Sequence, residues 1–228
     1  MAEKLLSIIV PIFNEEKLVA SALPTIFALS INHEVIVVND GSTDKTKLIL
    51  DGLQASYDFK LIHQVSNQGK GAAVKRGLEE MSGDYFIVCD ADAEYDPKDI
   101  IKLFTAIKNQ APQTAVFGSR FLNNYPLNFH RLVNYFLTAL TNYFFGSHLS
   151  DMETCFKLIP RDALNKLNLS GRRFEIEPEI TAQLLRTGYN IVELPISYNR
   201  RSYSEGKKIK ARDGLLAIQT LWDEWRKK

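Results

Sequence analysis

Cysteine is rare in this sequence, and long apolar runs are absent. Only Cys89 and Cys155 occur in 228 residues, and they do not form a CxxC pair. This argues against a disulfide framework or a zinc site and favours a reducing compartment. No uninterrupted apolar run reaches about 18 residues, so no segment is expected to span a membrane by itself. The N-terminal residues also lack the cleavage pattern of a signal peptide.

Neither sign of charge dominates, and several catalytic signatures are missing. The formal net charge is +1 at pH 7, so nucleic acid is not an expected partner. There is no GxSxG elbow and no GxxxxGK[ST] loop, and Gly77 falls too late after Gly69 and Gly71 for a GxGxxG fingerprint. The four histidines show no ligand spacing. Serine hydrolysis, P-loop hydrolysis and dinucleotide redox chemistry therefore lack their signatures.

Short apolar runs alternate with helical segments along the first half of the chain. The strand-like runs are residues 5–11, 34–38, 59–63, 85–89 and 114–118. Runs of this length and apolarity predict strands, buried at 5–11 and 85–89 and weaker at 59–63. Their alternation with helices is typical of βαβ units, so we expect an α/β fold with a mainly parallel, Rossmann-like central sheet flanked by helices. Strands at 155–159 and 191–198 predict a mixed sheet in the C-terminal half.

The chain length fits one large domain. We expect a single domain, 1–228, with functional halves at 1–120 and 121–228. Asn14 is predicted to cap the first helix, and Pro24 to kink or end it.

Three carboxylates on alternate residues follow the fourth strand: Asp90, Asp92 and Glu94. If the chain stays extended past Cys89, all three point to one side, because strand side chains alternate. Crowded like charges repel unless a cation lies among them, and a hard divalent cation with a bound phosphate suits oxygen ligands. The alternative is a solvated acidic turn before the helix that starts at Pro97.

Two further features lie near the same sheet edge. Asp40 follows the second strand, where an acid commonly accepts hydrogen bonds from a ribose or a base edge; a turn aspartate bonding its own backbone is the alternative. Gly69 to Gly71 open a helix, so their N–H groups and Lys70 could face a phosphate. Taken alone this glycine-lysine-glycine run is a weak signal.

Basic residues cluster in residues 200–210. We interpret this segment as either a solvated loop or a basic lid over phosphate groups, with Arg120 and Arg131 adding to a second anion site. Local positive charge in a near-neutral chain favours a specific phosphorylated ligand over a nucleic-acid track.

Together these residues resemble family 2 glycosyltransferases with the GT-A fold. The order of the matching segments is far more specific than any one of them. The segments are Pro11 to Glu15, Asn39 to Asp44, Asn67 to Gly71, Asp90 to Asp92 and Gly118 to Arg120. The second half resembles the dolichol-phosphate mannosyltransferase and polyprenyl-phosphate glucosyltransferase branch. That likeness lies in Asp151 to Lys157, Phe174 to Ile180 and Arg200 to Lys208.

The resemblance implies a nucleotide-sugar-binding half at 1–120 and an acceptor-binding half at 121–228. The residues that it places at the nucleotide sugar are Pro11, Phe13, Glu15, Asp40, Lys70, Asp90, Ala91 and Asp92. Asp90, Asp92 and Glu94 would bind Mg²⁺ or Mn²⁺, although mannosyltransferases often have Gln at the position of Glu94. Phosphate and acceptor contacts would come from Arg120, Arg131, Arg200 or Arg201, and Lys207. Asp92, Arg120 and Arg131 would be catalytic.

The implied reaction moves one hexose, with inversion, from GDP-mannose or UDP-glucose to a polyprenyl or dolichyl phosphate. A lipid phosphate is already anionic near neutral pH and needs positioning and charge compensation more than a general base. The alternatives are a family 2 transferase acting on a glycan or protein hydroxyl, and a non-catalytic nucleotide-sugar-binding module. A poised carboxylate among Glu153, Glu175 and Glu177 would favour the hydroxyl acceptor.

Processive polysaccharide synthases of this family carry QxxRW. Here Gln183 and Arg186 are followed by Thr187, which speaks against processive synthesis.

A lipid acceptor requires contact with a bilayer surface. The last helix places Leu215, Ile218, Trp222 and Trp225 at helical spacing before a basic tail, as in interfacial helices. The alternative is that this stripe packs on the core. The aromatic-rich helix at 128–145 is a second candidate. We expect peripheral attachment on the cytoplasmic face of a membrane, directly or through a separate small membrane subunit.

Overall fold

The structure is a computed structural model that describes residues 4–123, 129–199 and 211–227. The described residues form one seven-stranded sheet with helices packed against it. The strands are β1 (Leu6–Ile12), β2 (His33–Asn39), β3 (Lys60–His63), β4 (Tyr85–Val88), β5 (Thr114–Ser119), β6 (Lys157–Pro160) and β7 (Asn190–Pro195). The α-helices are α1 (Val19–Phe27), α2 (Thr46–Leu53), α3 (Lys70–Leu78), α4 (Lys98–Ile107), α5 (Phe129–Phe145), α6 (Ile176–Arg186) and α7 (Ala211–Arg226).

The strand order across the sheet is β3-β2-β1-β4-β6-β5-β7. Strand β6 runs antiparallel to both of its neighbours, and the other pairings are parallel. The predicted α/β fold is confirmed, including the mixed strands of the C-terminal half. Because β1 lies between β2 and β4, the carboxyl ends of these three strands meet at one edge, where open α/β sheets bind ligands.

Both faces of the sheet are covered, which explains why the central strands β1 and β4 are largely buried, whereas the edge strands β3 and β7 are only partly buried. Side chains of β1 alternate between the faces: Ile8 and Val10 belong to one apolar cluster, and Ile9 belongs to the other. Helices α1, α2 and α4 contribute to the first cluster, and α3 and α6 to the second. A third, smaller cluster joins α5, α6 and α7 through buried residues that include Leu137, Ala182 and Leu221.

Two predictions about the first helix are contradicted at its start and at Pro24, which does not end it, while a kink at Pro24 stays a prediction. Asn14 does not cap it, because α1 begins at Val19 and Asn14 adopts a positive φ of 49° in the preceding loop. Pro24 lies inside α1, which continues to Phe27. A proline removes its own N–H donor and its ring crowds the carbonyl four residues earlier, and we attribute the persistence of the helix to the packing of Val19, Leu23 and Ile26 on the core.

The chain does not stay extended past Cys89, which was the condition for the three acids to point to one side. Strand β4 ends at Val88, a turn follows, and Ala93 has a positive φ of 59°. The consequence is that the three acids do not share one strand face.

Other boundaries differ in the C-terminal half. The segment after Pro160 is a 3-10 helix (Arg161–Asn165), and β7 ends at Pro195 rather than at Tyr198. Tyr198 instead forms an isolated antiparallel bridge with Tyr95. No helix in the described ranges is long and apolar enough to cross a membrane.

Candidate active site

Asp40 lies just beyond β2 and holds the loop that leads into α3. Its carboxylate accepts hydrogen bonds from Nδ2 of Asn67 (2.9 Å) and from the backbone N–H groups of Gln68 (2.7 Å) and Gly69 (2.8 Å). Burial raises the pKa of Asp40, and the two backbone hydrogen bonds oppose that rise. Asp40 therefore does not bond its own backbone as a turn aspartate would. Both of its carboxylate oxygens accept hydrogen bonds from the loop that leads into α3.

The same loop packs tightly against a segment from the second half of the chain. Gly69 has a φ of 99°, and a Cβ built on it would lie 2.3 Å from the carbonyl oxygen of Arg172. A Cβ on Gly71 would lie 2.6 Å from the carbonyl oxygen of Gly171. The N–H of Ala72 donates to Arg172 O at 3.0 Å. Glycine is required at position 69 by conformation and by contact distance.

The loop after β1 is braced against the loop after β2. The carboxamide oxygen of Asn14 accepts from the N–H of Thr43 (2.8 Å), and the N–H of Asn14 donates to Oγ of Ser42 (2.9 Å). This cross-bracing places the half-buried Pro11, Phe13 and Glu15 beside the loop that starts at Asp40. The sequence-predicted nucleotide residues at the ends of β1 and β2 are thus neighbours in space.

The three carboxylates of the acidic turn after β4 have different partners. Oδ2 of Asp90 lies 2.8 Å from Nζ of Lys70, while Oε2 of Glu94 accepts from the hydroxyl of Tyr198 at 2.7 Å. Asp92 Oδ1 accepts from the N–H of Glu94 at 3.0 Å. Ala91 is buried between these acids. Within the described ranges, no group of three His, Cys, Asp or Glu residues is assembled as a metal centre.

Asp92 remains a suitable ligand for a cation. Burial and the charges of Asp90 and Glu94 raise the pKa of Asp92 to about 7. A divalent cation would relieve that repulsion and satisfy the oxygen-rich donor set. The carboxylates of Asp90, Asp92 and Glu94 are the donor chemistry that Mg²⁺ or Mn²⁺ prefers, although one oxygen of Asp90 is engaged by Lys70 and one oxygen of Glu94 by Tyr198.

Lys70 connects the acidic turn to α6. Its ammonium lies 2.8 Å from Asp90 Oδ2 and 3.1 Å from Glu177 Oε1. The second oxygen of Glu177 lies 2.6 Å from Nζ of Lys157 in β6. Burial lowers the pKa of Lys70, but Asp90 and Glu177 outweigh burial and raise it well above its usual value. Lys70 stays charged at the position predicted for a phosphate contact.

Arg120 makes a buried, bidentate ion pair with Asp151. Nε and one terminal nitrogen of Arg120 each lie 2.7 Å from an Asp151 oxygen, and the backbone N–H of Arg120 also donates to that carboxylate. The guanidinium lies over the rings of Phe121 and Tyr198. Arg131 also lies over Phe121, with its guanidinium 5.4 Å from the ring centroid. The two arginines therefore lie near each other, and the guanidinium of Arg120 is bound by the carboxylate of Asp151.

The three candidate general bases have different environments. Glu177 is paired with two lysines, and their charges hold its pKa below the usual value although burial opposes this. Glu175 accepts the N–H groups of Arg172 and Arg173 with one oxygen. Glu153 is the member with a raised pKa, which burial brings to about 7. Its Oε1 is buried without a hydrogen-bond partner in the described structure, as is Oε2 of Glu175.

The contact between Glu177 and Lys157 was not predicted from the sequence. Glu177 was predicted only as a candidate base and Lys157 was given no role, because no local pattern pairs residues 20 positions apart on a strand and a helix. Arg200, Arg201 and Lys207 lie outside the described residues.

The chain belongs to glycosyl transferase family 2. The model of that family matches residues 7–167, which is more than half of the chain.

Curated relatives in the family include proteins from archaea and a protist. The chain is 29% identical to a dolichol-phosphate mannosyltransferase of Pyrococcus furiosus, covering 88% of this chain and 58% of that protein. It is 31% identical to a dolichyl-phosphate beta-glucosyltransferase of Trichomonas vaginalis, with coverages of 94% and 71%. It is 28% identical to a UDP-N-acetylglucosamine–dolichyl-phosphate N-acetylglucosaminyltransferase of Methanococcus voltae, with 92% of each covered. The chain thus spans less than two thirds of the first relative and nearly all of the third.

Solved structures share the fold at low sequence identity. The glucosyl-3-phosphoglycerate synthase of Mycobacterium tuberculosis, in complex with UDP, superposes with a TM-score of 0.74 at 19% identity, covering 98% of this chain and 80% of the synthase. The same synthase was solved with Mn²⁺, UDP and phosphoglyceric acid, with a TM-score of 0.74 and 17% identity. This similarity confirms the α/β fold of the GT-A type.

Proposed function

We propose that this chain is an inverting hexosyltransferase that moves one sugar from a nucleotide sugar to a polyprenyl or dolichyl phosphate. The observation that carries the proposal is the ion pair of Lys70 with Asp90, close to the charge of Asp92 and beside the loop ordered by Asp40, at the carboxyl ends of the parallel strands. The relatives from Pyrococcus, Trichomonas and Methanococcus support the acceptor class, since each is named for transfer to dolichyl phosphate.

The donor half of the proposal is residues 1–120. Asp90, Asp92 and Glu94 would hold Mg²⁺ or Mn²⁺, and Lys70 would face the diphosphate. When bound, the metal neutralises charge on the leaving diphosphate. The mycobacterial synthase of the same fold was solved with Mn²⁺ and UDP, which supports a nucleoside diphosphate site. Pro11, Phe13, Glu15 and Asp40 would border the base and ribose.

The acceptor half is residues 121–228. Arg131 and residues 200–207 would supply positive charge for the acceptor phosphate, and Arg120 would orient that surface through Asp151. Such a phosphate is a ready nucleophile, so positioning and charge compensation account for most of what the protein must do.

A bilayer-facing surface is part of the proposal. Helices α5 and α7 expose large apolar residues: Leu132, Val133, Tyr135, Phe136, Tyr143, Leu215, Trp222 and Trp225. The buried side of α7 consists of residues such as Ala217 and Leu221, so the tryptophan stripe does not pack wholly into the core. Phe144 joins the helices by contacting both tryptophan rings, at centroid distances of 5.9 and 5.1 Å. Tryptophan beside Arg226 and Lys227 suits the lipid interface.

We propose that this surface places the protein on the cytoplasmic face of a membrane, alone or with a small membrane subunit. Flotation with anionic vesicles tests it directly. Replacing both Trp222 and Trp225 by Ser should reduce the vesicle-bound fraction several-fold, while Leu48→Ser, which removes an exposed leucine on α2, should leave it unchanged. Equal flotation of all variants would exclude this surface as the attachment site.

Product formation from labelled donors tests the reaction. Purified protein is incubated with UDP-glucose or GDP-mannose, a polyprenyl phosphate and Mn²⁺. Transfer to lipid is expected with one donor, and Asp92→Ala should reduce it by at least about a hundredfold while the thermal unfolding transition is retained. Unchanged turnover in Asp92→Ala would overturn the assignment of this turn as the donor site.

Glu153 favours a second candidate, transfer to a hydroxyl acceptor. Its raised pKa of about 7 and its unpartnered oxygen are what a general base for a hydroxyl requires. A lipid phosphate would not need such a base, so Glu153→Gln should leave transfer to a phosphate acceptor within about threefold of wild type. A loss of about a hundredfold or more, together with activity on a free sugar hydroxyl, would favour the second candidate.

A further inference from the structure

Four charged side chains form a continuous, largely buried series between the two halves of the chain. In order they are Asp90, Lys70, Glu177 and Lys157, and the successive N–O distances are 2.8, 3.1 and 2.6 Å. They come from four elements: the turn after β4, the first residue of α3, the first turn of α6 and the first residue of β6. Alternating signs make each member a partner of the next.

Glu177 is the central member of this series. One oxygen faces Lys70, and the other faces Lys157, whose ammonium also donates to the carbonyl oxygen of Glu177. Glu177 and Lys157 are both buried. A buried ion pair of this kind is weak support for stability, because desolvation offsets much of its attraction. What the contacts of Glu177 do provide is a fixed position for the ammonium of Lys70.

The position of Lys70 matters because its ammonium has three N–H donors. Two are directed at Asp90 and Glu177. Anchoring at Glu177 keeps the ammonium at the strand ends even if Asp90 turns toward a cation. Without Glu177, Lys70 would pair with Asp90 alone and compete with that cation for the carboxylate.

We infer that Glu177 is a positioning residue of the donor site, which acts through Lys70 to hold a positive charge beside Asp90 for a nucleoside diphosphate and its divalent cation. This inference rests on the proposed function. It assigns Glu177 an indirect role, because the carboxylate reaches the donor site only through the ammonium of Lys70. Lys157 completes the arrangement by holding the second oxygen of Glu177.

A double-mutant cycle on nucleotide binding tests the inference without using turnover. Calorimetry measures the affinity of the full chain for UDP and for GDP in the presence of Mn²⁺. We expect Glu177→Gln and Lys70→Met each to weaken binding of the preferred nucleotide about tenfold, which corresponds to the loss of one charged contact. The double variant should bind no more weakly than Lys70→Met, because Glu177 acts through that lysine.

Two further variants separate positioning from a general loss of structure. Glu34→Gln removes a carboxylate that pairs with Lys60 at the opposite end of the sheet, and it should bind the nucleotide as wild type does. Glu177→Asp keeps the charge and should restore binding to within about threefold of wild type. The Glu177→Asp variant also provides a test if Glu177→Gln does not fold. If Glu177→Asp binds the nucleotide no better than Lys70→Met, the inference is overturned.

The outcomes are distinguishable. Wild-type nucleotide binding with no effect of Glu177→Gln, or additive effects in the double variant, would contradict the inference alone. Failure of the wild type to bind either nucleotide with Mn²⁺ would contradict the proposed function and the inference with it.

Discussion

Arg120 and Asp151 form a bidentate ion pair in which both N–O distances are 2.7 Å and both side chains are buried. Asp151 is itself held in place, because the carboxylate of Glu193 in β7 accepts the N–H groups of Ser150 and Asp151. This pair joins the end of β5 to the segment after α5. The orientation of Arg120 at the edge of the proposed acceptor surface follows from Asp151 and Glu193.

Replacing Asp151 by Asn should therefore be strongly destabilising. The guanidinium of Arg120 would remain buried without its counter-charge, and loss of one partner of a buried pair costs about 3–5 kcal/mol. Urea unfolding followed by circular dichroism measures this. Glu80→Gln is the control, since it breaks only the exposed pair with Arg76, and its effect should stay below about 0.5 kcal/mol. Similar losses for both variants would contradict this account.

Asp40→Asn tests whether Asp40 orders the α3 loop. The variant would direct an NH₂ group at one of the N–H donors of Gln68 and Gly69, so we expect a loss of about 1–3 kcal/mol in unfolding free energy. Nucleotide affinity should fall as well, because the same loop presents Lys70. Asn67→Ala removes one of the loop's own contacts with Asp40 and should reproduce part of both effects. A change in affinity with no change in stability would instead indicate direct contact of Asp40 with the ligand.

Gly69→Ala should be more harmful than Gly188→Ala. Both glycines have positive φ, 99° and 84°, but a Cβ at 188 meets nothing within 4 Å, whereas at 69 it meets Arg172 O at 2.3 Å. Backbone strain alone costs about 1–2 kcal/mol. Thermal unfolding of the two variants tests this, since Gly69 carries both the contact and a φ of 99° with a ψ of 159°, a backbone region essentially restricted to glycine. Equal shifts in melting temperature would contradict the prediction.

Glu34 should contribute to acid sensitivity. Burial opposes ionisation, but hydrogen bonds from Ser7 and Ser82, with Lys60, lower its pKa from 4.5 to about 2. Its contribution to stability is therefore present above pH 4.5 and is lost as pH falls toward 2. Because the site is partly exposed, we expect about 1–2 kcal/mol rather than the full linkage value. Glu34→Gln should unfold with a smaller change in free energy between pH 5 and pH 2 than wild type.

Local pattern was enough to predict the elements but not all of their ends. The buried strands of the parallel half were predicted because each is an apolar run bounded by turn residues, and this signal is present within a few positions of the chain. The end of β4 at Val88, rather than beyond Cys89, depends on the turn through Ala93. The entry into α1 depends on Asn14 bonding to Thr43, 29 residues away.

The sequence alone determined the fold class and the family resemblance, together with the collection of acids and bases that a nucleotide sugar site needs. Only the tertiary structure decided their partners. It directed Asp40 to the α3 loop, Arg120 to Asp151, Glu94 to Tyr198, and Lys70 to both Asp90 and Glu177. The physical reason is that apolar periodicity is a property of neighbouring residues, whereas an ion pair depends on distances of about 3 Å that arise when separate elements pack.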